Sequence, residues 1–155
     1  MMEWLEGTLL ATWTRESPSI WAYPTILTLH TVGLGIVVGA NAILDIRLLG
    51  FASRIRIPAL LPLFRIVLWA FLLNAATGVL LFMSDATTKS KQPVFYIKLT
   101  LIGLALWNTL LVRREVRLDS EGMSSGRPAS HKRLAVLSLL LWAGAITAGR
   151  LMAYL

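Results

Sequence analysis

His30 stands near the middle of an apolar run of 25 residues, Ile20–Leu44, that contains no Lys, Arg, Asp or Glu. An ionisable ring at hydrocarbon depth is costly unless it is paired or coordinated, and a neutral imidazole nitrogen is a common metal ligand. Three more embedded polar groups fall towards the same end of their own apolar runs: Asn74, Lys98 and Arg150. None of the runs carries a carboxylate to neutralise the two cations. A buried anionic ligand accounts for this set. His30 would ligate the iron of a b-type haem or related tetrapyrrole, and Lys98 and Arg150 would hold its propionates through charge-assisted hydrogen bonds. Gly33, beside His30, and Gly78, one turn beyond Asn74, give a flat macrocycle the close helix approach it needs. The plainer account has Lys98 and Arg150 snorkelling to headgroups while His30 bonds a backbone carbonyl.

A single embedded histidine leaves the sixth position of an iron open, or filled by Met83, Met152, Lys98 or a partner chain. Copper is the other metal to weigh. Imidazole and thioether ligands suit Cu(I), and Met83 and Met152 both fall near the same membrane face as His30.

The elements that must position these groups are four apolar runs, about 20–44, 59–82, 94–112 and 134–155. About 20 such residues cross the hydrocarbon core as a helix. The expectation is an all-α polytopic membrane four-helix bundle, a single domain over 1–155, preceded by a short interfacial helix in Glu3–Trp13. A polar connection over 113–133, with Gly122, Gly126 and Pro128, reads as a cytoplasmic loop, and His131 within it as a solvated residue.

A second layer of polar groups lies towards the other face: Asn41, Asp45, Arg47, Arg65 and Asn108. Asp45 and Arg65 face each other across the first short connection and read as a structural ion pair. At about 100° per residue, His30, Gly33, Leu34, Val37, Asn41, Asp45 and Leu48 form one stripe, which must face the bundle interior. Gly35 and Gly39 form a G-x-x-x-G on the opposite face, suited to a second protomer or a larger membrane complex.

Composition sets the limits. The chain has 155 residues, 56% of them hydrophobic, and its charged fraction of 15% is well below that of soluble domains. It has no cysteine, which excludes disulfides, thiolate metal sites and cysteine nucleophiles. The first residues carry Glu3 and Glu6 where a cleavable signal peptide would be basic. The net charge of +7 is concentrated in Arg47, Arg54, Arg56 and in Arg113–Arg133, beside apolar runs. That distribution marks topogenic charge rather than nucleic-acid binding, and puts both basic connections in the cytoplasm and both termini outside a bacterial inner membrane. No phosphate-binding glycine loop and no hydrolase or kinase motif occurs.

Two segments carry a family likeness: LHTVGLGIVVGANAILDIRLLG (29–50), and TGVLLF (77–82) with FYIKLTLIGLALWNTLLVRR (95–114). A first-helix histidine with trailing glycines, a Phe-x-x-Lys-Leu and a later Asn before Arg-Arg resemble the CopD-like copper-resistance membrane domains. They also resemble a related set of uncharacterised bacterial four-helix domains, which the ending LWAGAITAGRLMAYL resembles in particular. A more distant likeness is to HemJ-type protoporphyrinogen oxidases, through His30, Arg47–Leu48 and Lys98–Leu99. That likeness implies haem b, with His30 and Lys98 as the functional residues. The chain lacks that family's aromatic-rich first-helix signature and its further histidines. Three functions are therefore expected in order: a haem- or tetrapyrrole-binding inner-membrane protein in electron transfer or porphyrin-linked redox, a cofactor-free accessory subunit, and a copper-handling protein.

Overall fold

Proline sets where the long helices begin. Pro24, Pro62, Pro93 and Pro128 each fall in the first turn of a long helix, where an absent N–H removes nothing from the hydrogen-bond ladder. The computed structural model describes residues 3–17, 19, 21–51, 54–121, 128–152 and 154. Their order is α1 (Glu3–Glu6), α2 (Leu9–Glu16), α3 (Ala22–Leu48), a 3-10 turn (Ile57–Leu60), α4 (Leu61–Met83), α5 (Ala86–Lys89), α6 (Pro93–Ser120) and α7 (Pro128–Leu151). No strand occurs among the described residues. Helix α3 stops at Gly50, whose φ of 103° only glycine adopts freely. The Phe51 and Gly50 amides donate to the Ile46 and Arg47 carbonyls there, closing the helix in the Schellman pattern.

Four of these helices are long and apolar enough to cross a membrane, and the chain is a multi-pass membrane protein of all-α class. The distribution of side chains agrees. Large apolar residues such as Trp69, Trp107 and Leu140 are more than 60% exposed, whereas Asn41, Asp45, Asn108 and Ser138 are at most 2% exposed. Such an arrangement suits lipid, where apolar surface needs no covering and polar groups must be satisfied inside.

Helices α3 and α4 pack along their lengths, as do α6 and α7, and α3 also lies beside α7. The fourth seam, α4 against α6, is closed mainly where the 3-10 turn meets α6. This leaves α3 and α6 diagonal. Two apolar clusters fill the interior: Val37, Ala40, Val67, Ala70, Ala105 and Trp142 at mid-depth, and Leu44, Leu48, Leu60, Phe64, Val112, Val116 and Ala135 towards the 3-10 turn. At the other end, α2 packs across α3 and α4, and α1 meets α5, forming a roof. The roof is fixed by the Thr87 amide, which donates to Glu6 Oε1 at 2.6 Å. That bond holds the Glu6 carboxyl below the usual carboxylate range.

The interfacial segment is thus two short helices, broken before Thr8, whose hydroxyl caps α2 by accepting from the Ala11 amide. The connection 113–133 is shorter than its polarity implies: α6 runs on to Ser120 and α7 starts at Pro128. Gly122 and Gly126 lie outside the described residues. His131 is accordingly helical rather than in a solvated loop. It lies against α6, with Nε2 3.5 Å from Glu115 and Nδ1 3.8 Å from Asp119, and only 12% of its side chain exposed. Carboxylates four residues apart on one helix face supply the polar surroundings that the sequence alone left to water.

Candidate functional site

Beneath the roof, at the end of the bundle away from the 3-10 turn, lies a cavity of about 780 Å³ that all four long helices help to line. His30 of α3 is set into its wall by α4. Its Nδ1 lies 3.0 Å from the Asn74 backbone carbonyl and 3.1 Å from Thr77 Oγ1. A carbonyl oxygen only accepts, so Nδ1 carries the hydrogen and donates it, and the neutral ring keeps its lone pair on Nε2. Among the described residues Nε2 has no hydrogen-bond partner and is not enclosed by protein, on a ring that lines the cavity. Thr77 Oγ1 in turn donates into α4, reaching the Leu73 carbonyl at 2.8 Å and the Asn74 carbonyl at 3.1 Å. A ligating histidine is characteristically held in this way, one nitrogen fixed by a carbonyl and the other free.

Two glycines make room for the polar side chains. A methyl group at Gly78 would come within 3.1 Å of His30 Cε1, and one at Gly149 within 3.4 Å of Lys98 Cε. Gly78 therefore allows the imidazole to lie against α4, and Gly149 allows the Lys98 stem to lie against α7. Gly33 acts differently. A methyl there would meet the Ala70 carbonyl and Asn74 at 3.3 Å, so Gly33 sets the close α3–α4 crossing that brings His30 to its partners.

Two cations that the sequence did not single out join Lys98 at the cavity: Lys89 of α5 and Arg15 of α2. Lys89 Nζ donates to the Leu81 carbonyl at 2.5 Å, and burial lowers its pKa. Glu6 and Asp85 lie at the same rim. Phe82 and Phe95 stack at 4.9 Å between centroids and form the apolar wall where α4 meets α6.

Not every expected residue comes to the site. Arg150 is exposed and does not line the cavity. It follows Gly149, which faces Lys98, and one helical step of about 100° turns it outward. Asn74 contributes its backbone carbonyl to His30, while its own Oδ1 is buried without a partner. Met152 lines the cavity and Met83 does not, so the two thioethers proposed for copper are not brought together around His30. Among the described residues no three His, Asp or Glu side chains converge on a metal position.

The Asp45–Arg65 ion pair does not form. Asp45 is buried, while Arg65 is exposed on the outward face of α4, next to buried Phe64. Desolvation of two charges in the bundle would cost more than the pair returns. Asparagines hold that layer instead: Thr109 donates to Asn41 Oδ1 at 2.9 Å, and Asn108 Nδ2 donates to the Leu134 carbonyl at 3.0 Å. No methyl at Gly35 or Gly39 would meet anything within 4 Å, in keeping with a helix face turned away from the bundle. Compared with family models, curated proteins and solved structures, the chain matches none of them.

Proposed function

We propose that this membrane protein binds a b-type haem or related tetrapyrrole in the cavity beneath the roof, with His30 Nε2 as the ligand to its metal. The observation that carries the reading is the single imidazole fixed through Nδ1 to the Asn74 carbonyl, with its other nitrogen unbonded in a cavity bordered by Lys98 and Lys89. The residues fit such a group. The cavity is within the usual range for cofactor sites, ~300–1,000 Å³. Gly78 keeps the ring's flank clear, and the lysines suit carboxylate side groups. Bound there, a haem would supply one-electron redox chemistry for electron transfer or for oxidation of a porphyrin. The chain's own residues would orient the imidazole, neutralise the anionic groups and exclude water with the α1–α2 roof.

Arg47, Arg54, Arg56 and the basic residues around 113–133 support an orientation with those connections in the cytoplasm of a bacterial cell and the cavity facing outwards. The test is a reduced-minus-oxidised visible spectrum of the detergent-purified protein with a pyridine haemochrome assay. A b-type signal near one haem per chain is expected; a flat spectrum after expression with ample haem would refute the reading. The second reading, a cofactor-free subunit of a larger membrane complex, is favoured by the open Gly35/Gly39 face alone.

A further inference from the structure

We propose that Asp45, Asn108 and Ser138 form a buried site for a small monovalent cation of the sodium type, separate from the cavity at His30. The three residues lie at one level of the bundle. On α3, Asp45 falls between Leu44 and Leu48, at the upper edge of the lower apolar cluster; on α6, Asn108 falls between Ala105 and Val112; on α7, Ser138 falls between Ala135 and Trp142. A polar layer is thus enclosed by apolar ones above and below.

Each residue presents an enclosed oxygen. Among the described residues, Asp45 Oδ2, Asn108 Oδ1 and Ser138 Oγ have no partner at good hydrogen-bond geometry, and their residues are at most 2% exposed. The Ser138 hydroxyl faces the Asp45 carboxyl, so the two are each other's nearest polar neighbours without a well-formed bond between them. The Asn108 amide is oriented by its Nδ2 bond to the Leu134 carbonyl, one turn before Ser138, which turns Oδ1 away from that bond. Asn41 is not part of the set, because its Oδ1 takes the Thr109 hydroxyl and its Nδ2 donates to the Val37 carbonyl.

The charge balance points the same way. An ionised carboxylate inside an apolar bundle needs a counter-charge. Among the described residues none is placed to supply it: Arg65 is exposed, and Arg47 Nε is engaged with the Ile55 carbonyl at 2.6 Å. A water molecule would give donors to the three oxygens without cancelling the charge. A hard cation does both, and carboxylate, amide and hydroxyl oxygens are the ligands such ions select.

The test is thermal unfolding of the full chain in detergent at neutral pH, with sodium chloride replaced by choline chloride at constant ionic strength. Sodium at about ten times its Kd should raise Tm by about 4 °C. Asp45→Asn should abolish that rise, and Ser138→Ala should move it to higher sodium. If Asp45→Asn fails to fold, the Ser138→Ala shift and broadening of the sodium NMR line by the wild-type protein carry the test. Equal Tm in sodium and choline across the accessible pH range overturns the proposal. So does a sodium effect that survives Asp45→Asn, or a Tm that follows pH alone, which would mark Asp45 as a proton site only.

Discussion

The His30 imidazole and the Asn74 backbone carbonyl meet across the α3–α4 interface at 3.0 Å. The bond takes a carbonyl that Thr77 also touches, and it settles which ring nitrogen is left for a ligand. An embedded histidine bonded to a carbonyl is, by itself, a satisfied core residue. What sets His30 apart is that its second nitrogen borders a cavity shared with lysines.

His30→Ala is expected to abolish any tetrapyrrole signal while leaving insertion and folding intact, since the lost hydrogen bond in a membrane bundle is worth about 1 kcal/mol. Gly78→Ala is the more discriminating variant. Alanine favours the helix over glycine by about 1 kcal/mol, yet its methyl would stand 3.1 Å from His30 Cε1 and displace the ring. Unchanged or raised Tm together with weakened pigment retention is the expected pair of results. Full retention would count against ligation by His30.

Charge at the cavity should be read out by Lys98→Ala and Lys89→Ala, each expected to weaken retention of an anionic ligand by about tenfold, the loss of one charge-assisted hydrogen bond. Arg150→Ala should leave retention unchanged, because that side chain is outside the cavity. Titrating free haem into the purified variants and comparing Kd values checks all three.

The roof should loosen in acid. Glu6 has a folded-state pKa below its ordinary 4.5, chiefly through the Thr87 amide. A depressed carboxylate pKa contributes stability that is fully present above the ordinary value and lost as pH falls through the folded one. Protection of the amides in residues 3–16, taken relative to the intrinsic exchange rate at each pH, should therefore fall as pH drops below 4.5, with the spans unaffected. Glu6→Gln should show the faster exchange at neutral pH.

Thr109→Val retains the shape of the side chain but leaves Asn41 Oδ1 buried without a donor. Destabilisation of about 1–2 kcal/mol is expected, measured by unfolding in mixed detergent and SDS micelles. A neutral result would mean that water replaces the hydroxyl.

Much of the fold was legible because helical period and span length survive any tertiary arrangement. The stripe on α3 is an example: Gly33, Val37, Asn41, Asp45 and Leu48 are all buried, as their spacing requires. Depth along a helix was legible too, since His30 and Lys98 do border one cavity. Direction around the helix axis was not. Arg65 and Arg150 were placed at the right level, yet each sits one step past a residue that faces inward, and a single step is about 100°. Lys89 and Arg15 were missed for another reason. They reach the cavity only because short helices outside the four spans fold back over it, and no periodicity in four or eight residues signals that. Ser138 gave no signal either, being one hydroxyl in a leucine-rich helix.

The inverted exposure of the bundle has an optical consequence. Of the six tryptophans, Trp4, Trp13, Trp21, Trp69 and Trp107 are each more than half exposed, while Trp142 is 3% exposed. In vesicles with brominated acyl chains, Trp69 and Trp107 should quench most strongly, and the three around the roof should respond to bromine near the headgroups. Trp142 should stay bright at every depth. The chain thus carries its own depth gauge and an internal fluorescence standard, which lies one turn from the Ser138 hydroxyl and so reports on that layer without any added label.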